Sequence, residues 1–324
     1  MLMNMVNANG TFGVPALGSM VTQGNVFFVR PKGGSDGNDG KSPTRAFKTI
    51  TKALASCSAN QNDTVYLIAE SNTASATTNY LTAQLDWNKD LVHLIGVGTG
   101  SMIGQRARIA VASTTVLTTD MFKLSANGCI ISNIGFFFGV ATTTTAGIGA
   151  MNITGSRNYL YNCSISGIGH ADMDTLGSYS LQLNGASENT IEKCYIGLDT
   201  ITRGVQVNTE INLKGGAVRN IFKDCVIATA ASVNTHTWVT KASAGIDRFV
   251  DFIGCIFYND ILSVGVNMTQ GLAVTAGGSP NGMIFLKDCG LVGATKWETT
   301  ASGEVYSTCA APGSSTTSGI ATSV

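Results

Sequence analysis

The hexapeptide Leu160-Tyr161-Asn162-Cys163-Ser164-Ile165 contains a pattern that returns at a nearly constant interval. An apolar residue lies three positions before the cysteine, and another lies two positions after it. The cysteines of successive copies are 31, 31, 30 and 34 residues apart, and Ile134 occupies the cysteine position one step earlier. A fixed period of a few tens of residues indicates stacked units that bury their apolar faces on one another. The further copies centre on Cys194, Cys225, Cys255 and Cys289.

The spacing within each copy indicates which kind of unit is repeated. The cysteine and the apolar residue two positions later share one face of a strand, whereas the step of three before the cysteine requires a bend. Five of the six residues before the cysteine position are Asn, Asp or Gly, which tolerate a left-handed backbone. Strand, bend, strand and loop, repeated about every 31 residues, predict an all-β fold, a right-handed single-stranded parallel β-helix. The LxxLxL signature of leucine-rich repeats and the 3.6-residue period of helical repeats do not appear. The six bend residues are Asn133, Asn162, Lys193, Asp224, Gly254 and Asp288.

Composition limits the classes of partner. Charged residues make up 12% of the 324 residues and the formal net charge is zero, so the basic stripe expected of a nucleic-acid-binding protein is missing. The longest apolar stretches are interrupted by Asn, Gly or Ser well before about 18 residues. Residues 1–5 have neither the basic region nor the apolar run of a secretory signal. We therefore expect no nucleic-acid partner, no membrane association, and assembly in a cytoplasm.

The repeated cysteines are expected to serve the core. Stacked identical side chains run parallel and do not face each other, which suits a disulfide poorly, and a reducing compartment keeps thiols free. No CxxC pair is present, so a thiolate zinc site is not expected. The sequence predicts no cofactor and a ladder of small buried free thiols. The ladder consists of Cys163, Cys194, Cys225, Cys255 and Cys289.

Three segments are predicted. Residues 1–25 form an N-terminal arm without periodicity, residues 26–300 form the β-helix domain, and residues 301–324 form a C-terminal tail rich in Ser, Thr and Gly. Ser42-Pro43 supplies an N-cap and a first-turn proline, and apolar residues follow at helical spacing, so a short capping helix is predicted near residues 43–56. The arm offers apolar residues for attachment to a partner or a sister subunit. These residues are Leu2, Met3, Met5, Val6, Phe12, Val14 and Leu17.

The loop between the first strand and the capping helix is a weak candidate for a calcium site. Asp36, Asn38 and Asp39 present closely spaced oxygen atoms of the kind that Ca²⁺ binds. The same residue types favour a tight turn ahead of a helix. No bidentate Glu follows at a suitable distance, so we prefer the turn.

The densest cluster of titratable residues is His170, Asp172 and Asp174. Two carboxylates beside a histidine could perform glycoside hydrolysis or lyase chemistry. Both carboxylates belong to one stretch of chain, however, so a solvated loop is predicted instead. No catalytic residue is assigned.

Other residues of the types found in sugar-binding sites are also given structural interpretations. Arg203 and Arg219 could be a lyase base or a substrate clamp, but a single Arg on a turn is more often a surface residue. His93 is assigned to the core or to packing under the cap, and His236 is expected to have no nearby ligand partner. The three tryptophans could stack on sugars, but they lie on distant turns, so a shared groove is not expected. They are Trp87, Trp238 and Trp297.

Two stretches resemble known β-helix proteins. Residues 33–43 (GGSDGNDGKSP), followed by residues 46–50 (AFKTI), are similar to the opening motif of pectate-lyase-like β-helix proteins, where the motif joins the first strand to the capping helix. Residues 85–97 (LDWNKDLVHLIGV), continuing through 104–109 (GQRARI), are similar to β-helix proteins encoded beside capsid genes in tailed bacteriophages. Pectinase-like hydrolases of this fold carry an Asp-Asp pair, a Gly-His-Gly and an Arg-Ile-Lys, and all three motifs are absent from this sequence.

The resemblance implies a non-enzymatic virion structural protein, either a capsid decoration or a head-associated β-helix protein. It would be found in the virion after assembly in the host cytoplasm, with the phage capsid or other virion proteins as partners. A homo-oligomer is expected, and a trimer is common among phage β-helix spikes. The alternative is a tailspike-like protein that binds or cleaves host surface polysaccharide as a lyase or hydrolase. A groove lined by carboxylates from adjacent turns would favour the alternative, and the sequence does not display one.

Overall fold

The computed structural model describes residues 24–71, 78–98, 100, 104, 106–141, 147–204, 206–299 and 302–309. The helical elements are a 3-10 turn at Pro43–Arg45, helix α1 at Ile50–Ser56, a 3-10 turn at Ala171–Met173 and helix α2 at Ile261–Val264. None of the described helices is long and apolar enough to cross a membrane. The strands, numbered along the chain, are β1 Val26–Val29, β2 Thr64–Ile68, β3 Thr78–Leu81, β4 Leu85–Trp87, β5 His93–Val97, β6 Arg108–Val111, β7 Phe122–Leu124, β8 Ile130–Ser132, β9 Gly135–Phe137, β10 Gly149–Ile153, β11 Tyr159–Tyr161, β12 Ser164–Ser166, β13 Tyr179–Asn184, β14 Thr190–Glu192, β15 Tyr195–Arg203, β16 Thr209–Lys214, β17 Ala217–Lys223, β18 Val226–Ala231, β19 Thr237–Lys241, β20 Ile246–Ile253, β21 Ile256–Asn259, β22 Leu272–Val274, β23 Met283–Lys287, β24 Gly290–Val292 and β25 Val305–Ser307.

These strands pair in parallel and build three sheets around one core. Sheet A has the order β1-β2-β5-β8-β11-β14-β17-β20-β23-β25, sheet B has the order β24-β21-β18-β15-β12-β9-β6-β3, and sheet C has the order β22-β19-β16-β13-β10-β7-β4. From β2 to β24 the chain visits sheets A, B and C in turn and then starts again. The result is a right-handed parallel β-helix of about seven turns, which confirms the predicted fold class.

The bend between sheets A and B has a left-handed backbone at each predicted position. The angle φ is 57° at Asn133, 51° at Asn162, 51° at Lys193, 51° at Asp224, 63° at Gly254 and 53° at Asp288. Lys193 is the exception in residue type, since a left-handed backbone costs a side chain of this kind roughly 1–2 kcal/mol. The stacking of neighbouring turns therefore imposes the bend even where the local sequence disfavours it.

The apolar residue that precedes each bend lies in one inward column of sheet A. Leu160 pairs in register with Ile191, and Ile191 pairs with Phe222. The column continues through Phe252 to Leu286. The rings of Phe222 and Phe252 stack with centroids 4.6 Å apart and planes 11° from parallel, because neighbouring strands are only about 4.8 Å apart. All five side chains are completely buried, and full burial stabilises each by about 1.5–3 kcal/mol.

A second left-handed corner lies between sheets C and A, and the sequence analysis did not predict it. The angle φ is 58° at Arg157, 58° at Glu188 and 48° at Arg219, although these residue types are not turn formers. A buried asparagine follows each corner residue and bonds to the neighbouring turns. These asparagines are Asn158, Asn189 and Asn220.

The capping helix is shorter than predicted. Residues 43–56 divide into a 3-10 turn and α1 because Phe47 between them is extended. The amide nitrogen of Phe47 donates to the carbonyl of Phe28 at 2.8 Å, and its carbonyl accepts from the amide of Arg30 at 2.9 Å. Helix α1 begins after Thr49, whose Oγ1 accepts from the amide of Lys52 at 3.2 Å. The apolar spacing that suggested one helix therefore has two causes. Phe47 is buried as an extended residue, and the later apolar residues belong to helix α1.

The solenoid continues beyond residue 300, where the tail was predicted to begin. Strand β25 pairs with β23 as the tenth strand of sheet A. Just before it, Glu304 forms a 2.7 Å ion pair with the buried Lys241. The Ser, Thr and Gly content of this region gave no strand signal. The attachment residues predicted in the arm lie outside the described residues, as does the chain from residue 310.

Candidate functional site

The five ladder cysteines occupy equivalent positions between sheets A and B. Each thiol donates to a carbonyl oxygen of the preceding turn, at sulfur–oxygen distances of 3.4 to 3.8 Å. All five are buried and free of disulfides. Burial raises the pKa of Cys194 well above its ordinary value. The thiol therefore stays protonated, and the protonated form is neither a nucleophile nor a metal ligand.

The side chains proposed for calcium are used by the loop that carries them. Asp36 accepts from the amides of Lys48 and Thr49 at 2.9 Å each. Asp39 accepts from the amide of Lys41 at 3.0 Å, and this hydrogen bond lowers the pKa of the Asp39 carboxyl. Asn38 donates to the carbonyl of Ala46 at 2.9 Å. Asp39 and Asn38 therefore bond within the loop, and Asp36 holds the loop against the residues that precede helix α1.

Segments distant in sequence bring charged side chains together at the corner between sheets B and C. Glu210 on β16 is at the centre of this group. Its Oε1 lies 3.4 Å from a guanidinium nitrogen of Arg203 and 3.6 Å from Nε2 of His236, and its Oε2 accepts from Oγ of Ser180 at 2.6 Å. Asp174 accepts from the side chain of Asn208. We call this group the buried polar cluster, and its members are Asp174, Ser180, Arg203, Asn208, Glu210 and His236.

Strand alternation explains how these polar side chains come to be buried. Ile211 and Leu213 on β16 are fully buried in the core, so Glu210 points to the opposite side of the sheet. There it lies against Gly197 of the long strand β15. A Cβ atom at Gly197 would come within 2.8 Å of the Glu210 carboxylate, so only glycine leaves room for the charged group.

The electrostatics of the buried polar cluster favour one fixed charge state. Burial alone would raise the pKa of Glu210, but the charge of Arg203 and the hydrogen bond with His236 hold that pKa below its ordinary value. Burial lowers the pKa of His236, although Glu210 opposes this shift. A carboxylate beside a histidine can serve as a general acid and base in an open site. Here the side chains of Arg203, Glu210 and His236 are all 0% exposed, so the cluster has no surface for a substrate.

Two sequence-based interpretations are wrong at this cluster. Asp174 is buried and accepts from the amide of Gly204 at 2.9 Å, so it does not lie in a solvated loop. Arg203 is completely buried and is not a surface residue. His236 has close partners, which are Glu210 and, at 3.1 Å, Oγ1 of Thr229. Both errors concern burial, because Asp174 bonds to the next turn 30 residues away and Arg203 is enclosed beside Glu210, seven residues further along the same turn.

The remaining titratable candidates lie apart from the cluster. His170 and Asp172 are partly exposed and 3.7 Å from each other. Arg219 is also exposed and bonds to Glu188 at 2.7 Å. His93 lies in the core as predicted, and its Nδ1 accepts from the amide of Ile130 at 3.1 Å.

The tryptophans do not line a common sugar-binding groove. Trp87 and Trp238 are completely buried, and Nε1 of Trp87 donates to the carbonyl of Val92 at 2.9 Å. Trp297 is partly buried and packs edge-on against Phe257, with ring centroids 5.4 Å apart. All three rings therefore contribute to packing of the β-helix.

Charged side chains on the outer surface connect successive turns. Glu188 lies 2.8 Å from Arg157 of the preceding turn and 2.7 Å from Arg219 of the following turn. Glu192 accepts from the Tyr159 hydroxyl at 2.8 Å and lies 3.2 Å from Lys223. Further pairs of this kind join Asp86 to Lys123 at 3.4 Å and Asp251 to Lys287 at 2.6 Å.

An open cavity of about 170 Å³ lies on the outer face of sheet B. It crosses β6, β9, β12 and β15, and two arginines lie at one end of it. Sequence analysis missed these residues, because outward positions follow no apolar pattern and become neighbours only through the strand register. Its side chains include Arg106, Arg108, Phe137, Ser164, Ser166 and Leu198.

Comparison with known proteins supports the fold. No protein-family model matches the chain, and no curated protein matches it significantly. Among solved structures, a rhamnogalacturonan lyase is similar with a TM-score of 0.54 and 14% identity, over 82% of this chain and 68% of that one. The pectate lyase Pel9A gives a TM-score of 0.49 and 10% identity, over 89% and 79% of the two chains. Open reading frame 18 of Geobacillus virus E2 gives a TM-score of 0.33 and 14% identity, over 82% of this chain and 60% of that one. At these identities the likeness concerns the fold alone, which is a parallel β-helix.

Proposed function

We propose that this protein is a non-enzymatic structural protein of a bacteriophage virion, either a capsid decoration or a head-associated β-helix. The observation that carries the proposal is the use of outer carboxylates to bridge successive turns. Glu188 contacts the turns on both sides of its own, and so does Glu192. Single exposed ion pairs contribute little, but a bridge repeated from turn to turn restrains the solenoid against bending and shear.

The same contacts make these carboxylates poor catalysts. A hydrogen bond from Arg219 lowers the pKa of Glu188, and Arg157 lowers it further. Burial would raise the pKa of Glu192, but Tyr159 and Lys223 hold it below its ordinary value. Glycoside hydrolysis needs a carboxyl group that remains protonated near the working pH. Carboxylates held ionised by their neighbours are suited to binding the next turn.

The phage origin rests on the resemblance carried by residues 85–97 and 104–109. Part of this stretch builds the core at the N-terminal end of the solenoid, where Trp87 and Val92 are both completely buried. Bacteriophage β-helix proteins and polysaccharide-cleaving enzymes can share such a core, since a fold does not define a function. The ion pairs between turns on the outer surface support the structural role in this proposal.

Two assays on the same material test this proposal. Mass spectrometry of purified phage particles should detect the full chain as a particle component. The purified protein, incubated with polysaccharide from the host surface, should release neither reducing sugars nor unsaturated products. Sustained release of such products would instead establish the tailspike-like alternative, and absence of the chain from particles would refute a virion role.

Attachment through residues 1–25, and assembly as a homo-oligomer, of which a trimer is one form, are part of the proposal. A segment with scattered apolar residues is ordered most readily against a partner, because binding must offset its loss of chain entropy. Deleting residues 1–20 should yield a folded protein that no longer enters particles. Normal incorporation of the folded truncated protein would show that the arm is not the anchor.

A further inference from the structure

The cavity on sheet B arises because two small residues lie between larger side chains on neighbouring strands. Arg108, Gly135, Ser164 and Tyr195 are aligned in register on β6, β9, β12 and β15. The two small residues in the middle leave a depression between Arg108 and Leu198 of β15, about 10 Å long because strands lie about 4.8 Å apart. A volume of about 170 Å³ equals roughly six water molecules at about 30 Å³ each. The depression is therefore too small for a whole cofactor, which needs about 300 Å³ or more, and suits one small group.

The charge in the cavity is positive and held in place. The Arg108 guanidinium lies 4.1 Å from the centroid of the Phe137 ring, a cation–π contact that fixes its plane. Burial lowers the pKa of Arg108, Tyr80 opposes this shift and Arg106 adds to it, and no carboxylate of the described residues takes part. Arginine nevertheless remains protonated in proteins. Two guanidinium groups thus line one half-buried cavity together with the hydroxyls of Ser164 and Ser166.

We propose that this cavity binds a carboxylate carried on a short carbon chain. The planar fork of Arg108 matches the two oxygens of a carboxylate, and the Ser164 hydroxyl supplies a further donor. Leu198 and Phe137 face the same space and provide apolar contacts for the carbon chain. A bare inorganic anion would leave these two side chains without a contact, which is the reason for preferring an organic carboxylate. This binding site is independent of the proposed virion role.

Calorimetric titration of the purified full chain with glutarate tests the proposal, with inorganic phosphate as the comparison anion. We expect saturable glutarate binding that Arg108→Gln weakens at least about tenfold, since a charged hydrogen-bonding pair is lost. Arg108→Lys keeps the charge but not the fork, so it should show an intermediate affinity. Arg248→Gln is the matched control, because Arg248 is an exposed arginine on β20 of sheet A and its loss changes the net charge equally. This control should bind glutarate as the wild type does.

Several results would overturn the proposal. Absence of saturable glutarate binding would do so, as would equal glutarate affinity in the wild type and Arg108→Gln. Phosphate that binds as tightly as glutarate would do so too. If Arg108→Gln does not fold by circular dichroism, the comparison of Arg108→Lys with Arg248→Gln decides instead. N-acetylglutamate and glucuronate then distinguish a peptide-borne from a sugar-borne carboxylate. At least one of these two compounds must bind more tightly than phosphate, and the proposal is overturned if neither does.

Discussion

The amide nitrogen of Asn158 donates to Oδ1 of Asn189, one turn further along the β-helix, at 2.9 Å. Nδ2 of Asn189 donates in turn to the carbonyl of Gly155 at 3.1 Å. The amide of Asn189 donates to Oδ1 of Asn220 at 3.0 Å, so the arrangement repeats. Each buried asparagine satisfies backbone groups that the left-handed corner would otherwise leave without partners. The corner between sheets C and A therefore depends on these side chains.

Replacing Asn189 by Ala should destabilise the protein strongly. The change leaves the Asn158 amide and the Gly155 carbonyl buried without partners, and each such group costs about 1–3 kcal/mol. We expect the free energy of unfolding, measured in urea, to fall by roughly 2–5 kcal/mol. Asn212, partly exposed and bonded to Gln182 at 3.0 Å, gives a control that leaves only one buried group, Oε1 of Gln182, without its partner, so Asn212→Ala should cost less than Asn189→Ala, about 1–3 kcal/mol. Equal losses in the two variants would show that the asparagine column is not special.

Replacing Lys193 by Asn should stabilise the protein. The residue has a φ of 51°, and asparagine adopts this backbone more readily than lysine. The gain should exceed the loss of a distant cation–π contact, since the Lys193 ammonium lies 5.7 Å from the Tyr161 ring centroid and is exposed. We expect the free energy of unfolding to rise by about 0.5–1 kcal/mol. Lys214→Asn, at the exposed end of β16, lacks the left-handed backbone and should give no gain. A loss of stability on Lys193→Asn would contradict the strain argument.

The ladder cysteines should resist modification until the protein unfolds. They are buried, which keeps a reagent from them. Burial also raises the pKa of Cys194, as it does at Cys129 to about 11 and at Cys57 to about 12. Cys309 is the partly exposed one of the eight. A maleimide reagent should therefore label Cys309 first in the native protein, and Cys309→Ala should abolish this early phase. Labelling of Cys194 or Cys225 at the rate of Cys309, located by peptide mapping, would disagree with a closed core.

His236 should make stability fall as the pH falls below about 6.5. Burial holds the folded-state pKa of His236 below its ordinary value of 6.5, so between these two pKa values the unfolded chain binds a proton that the folded chain does not. The free energy of unfolding then rises with pH in this window, by about 1.4 kcal/mol per pH unit for one proton. Burial lowers the pKa of His93 as well, which adds to the slope.

Urea unfolding between pH 5 and 7 checks this expectation. His236→Gln should reduce the slope of the free energy of unfolding against pH by the contribution of about one proton. Thr229→Val removes the 3.1 Å contact with the ring and should retain the slope. The same slope in the wild type and His236→Gln would mean that His236 is already protonated in the folded protein.

The architecture could be predicted because its determinants repeat along the chain. The column from Leu160 to Leu286 and the bends at Asn133 to Asp288 each use one offset from a cysteine position, and both occur where predicted. The asparagine column follows the same logic, since Asn158, Asn189 and Asn220 each lie five residues before a ladder cysteine. That signal was present but was not used.

The charged sites could not be predicted in the same way. Glu210 meets Arg203 across the loop between β15 and β16, and it meets His236 only when the following turn stacks on its own. The Arg108 cavity depends on Gly135 and Ser164 being aligned in neighbouring strands. Phe47 misled the helix assignment because burial, and not helical geometry, placed it at the expected spacing. Strand periodicity determines which side chains face the core. The polar contacts depend instead on which residues of neighbouring strands are aligned.

Cryo-electron microscopy of intact phage particles assembled with this protein tests the central claim most directly. We expect rod-like density for a β-helix of about seven turns on the particle, with residues 1–25 at the contact with the capsid or with a sister subunit. The density should disappear from particles produced after deletion of the gene. Intact particles that lack such density, and that remain unchanged in composition and infectivity after the deletion, would contradict the assignment of a virion structural role.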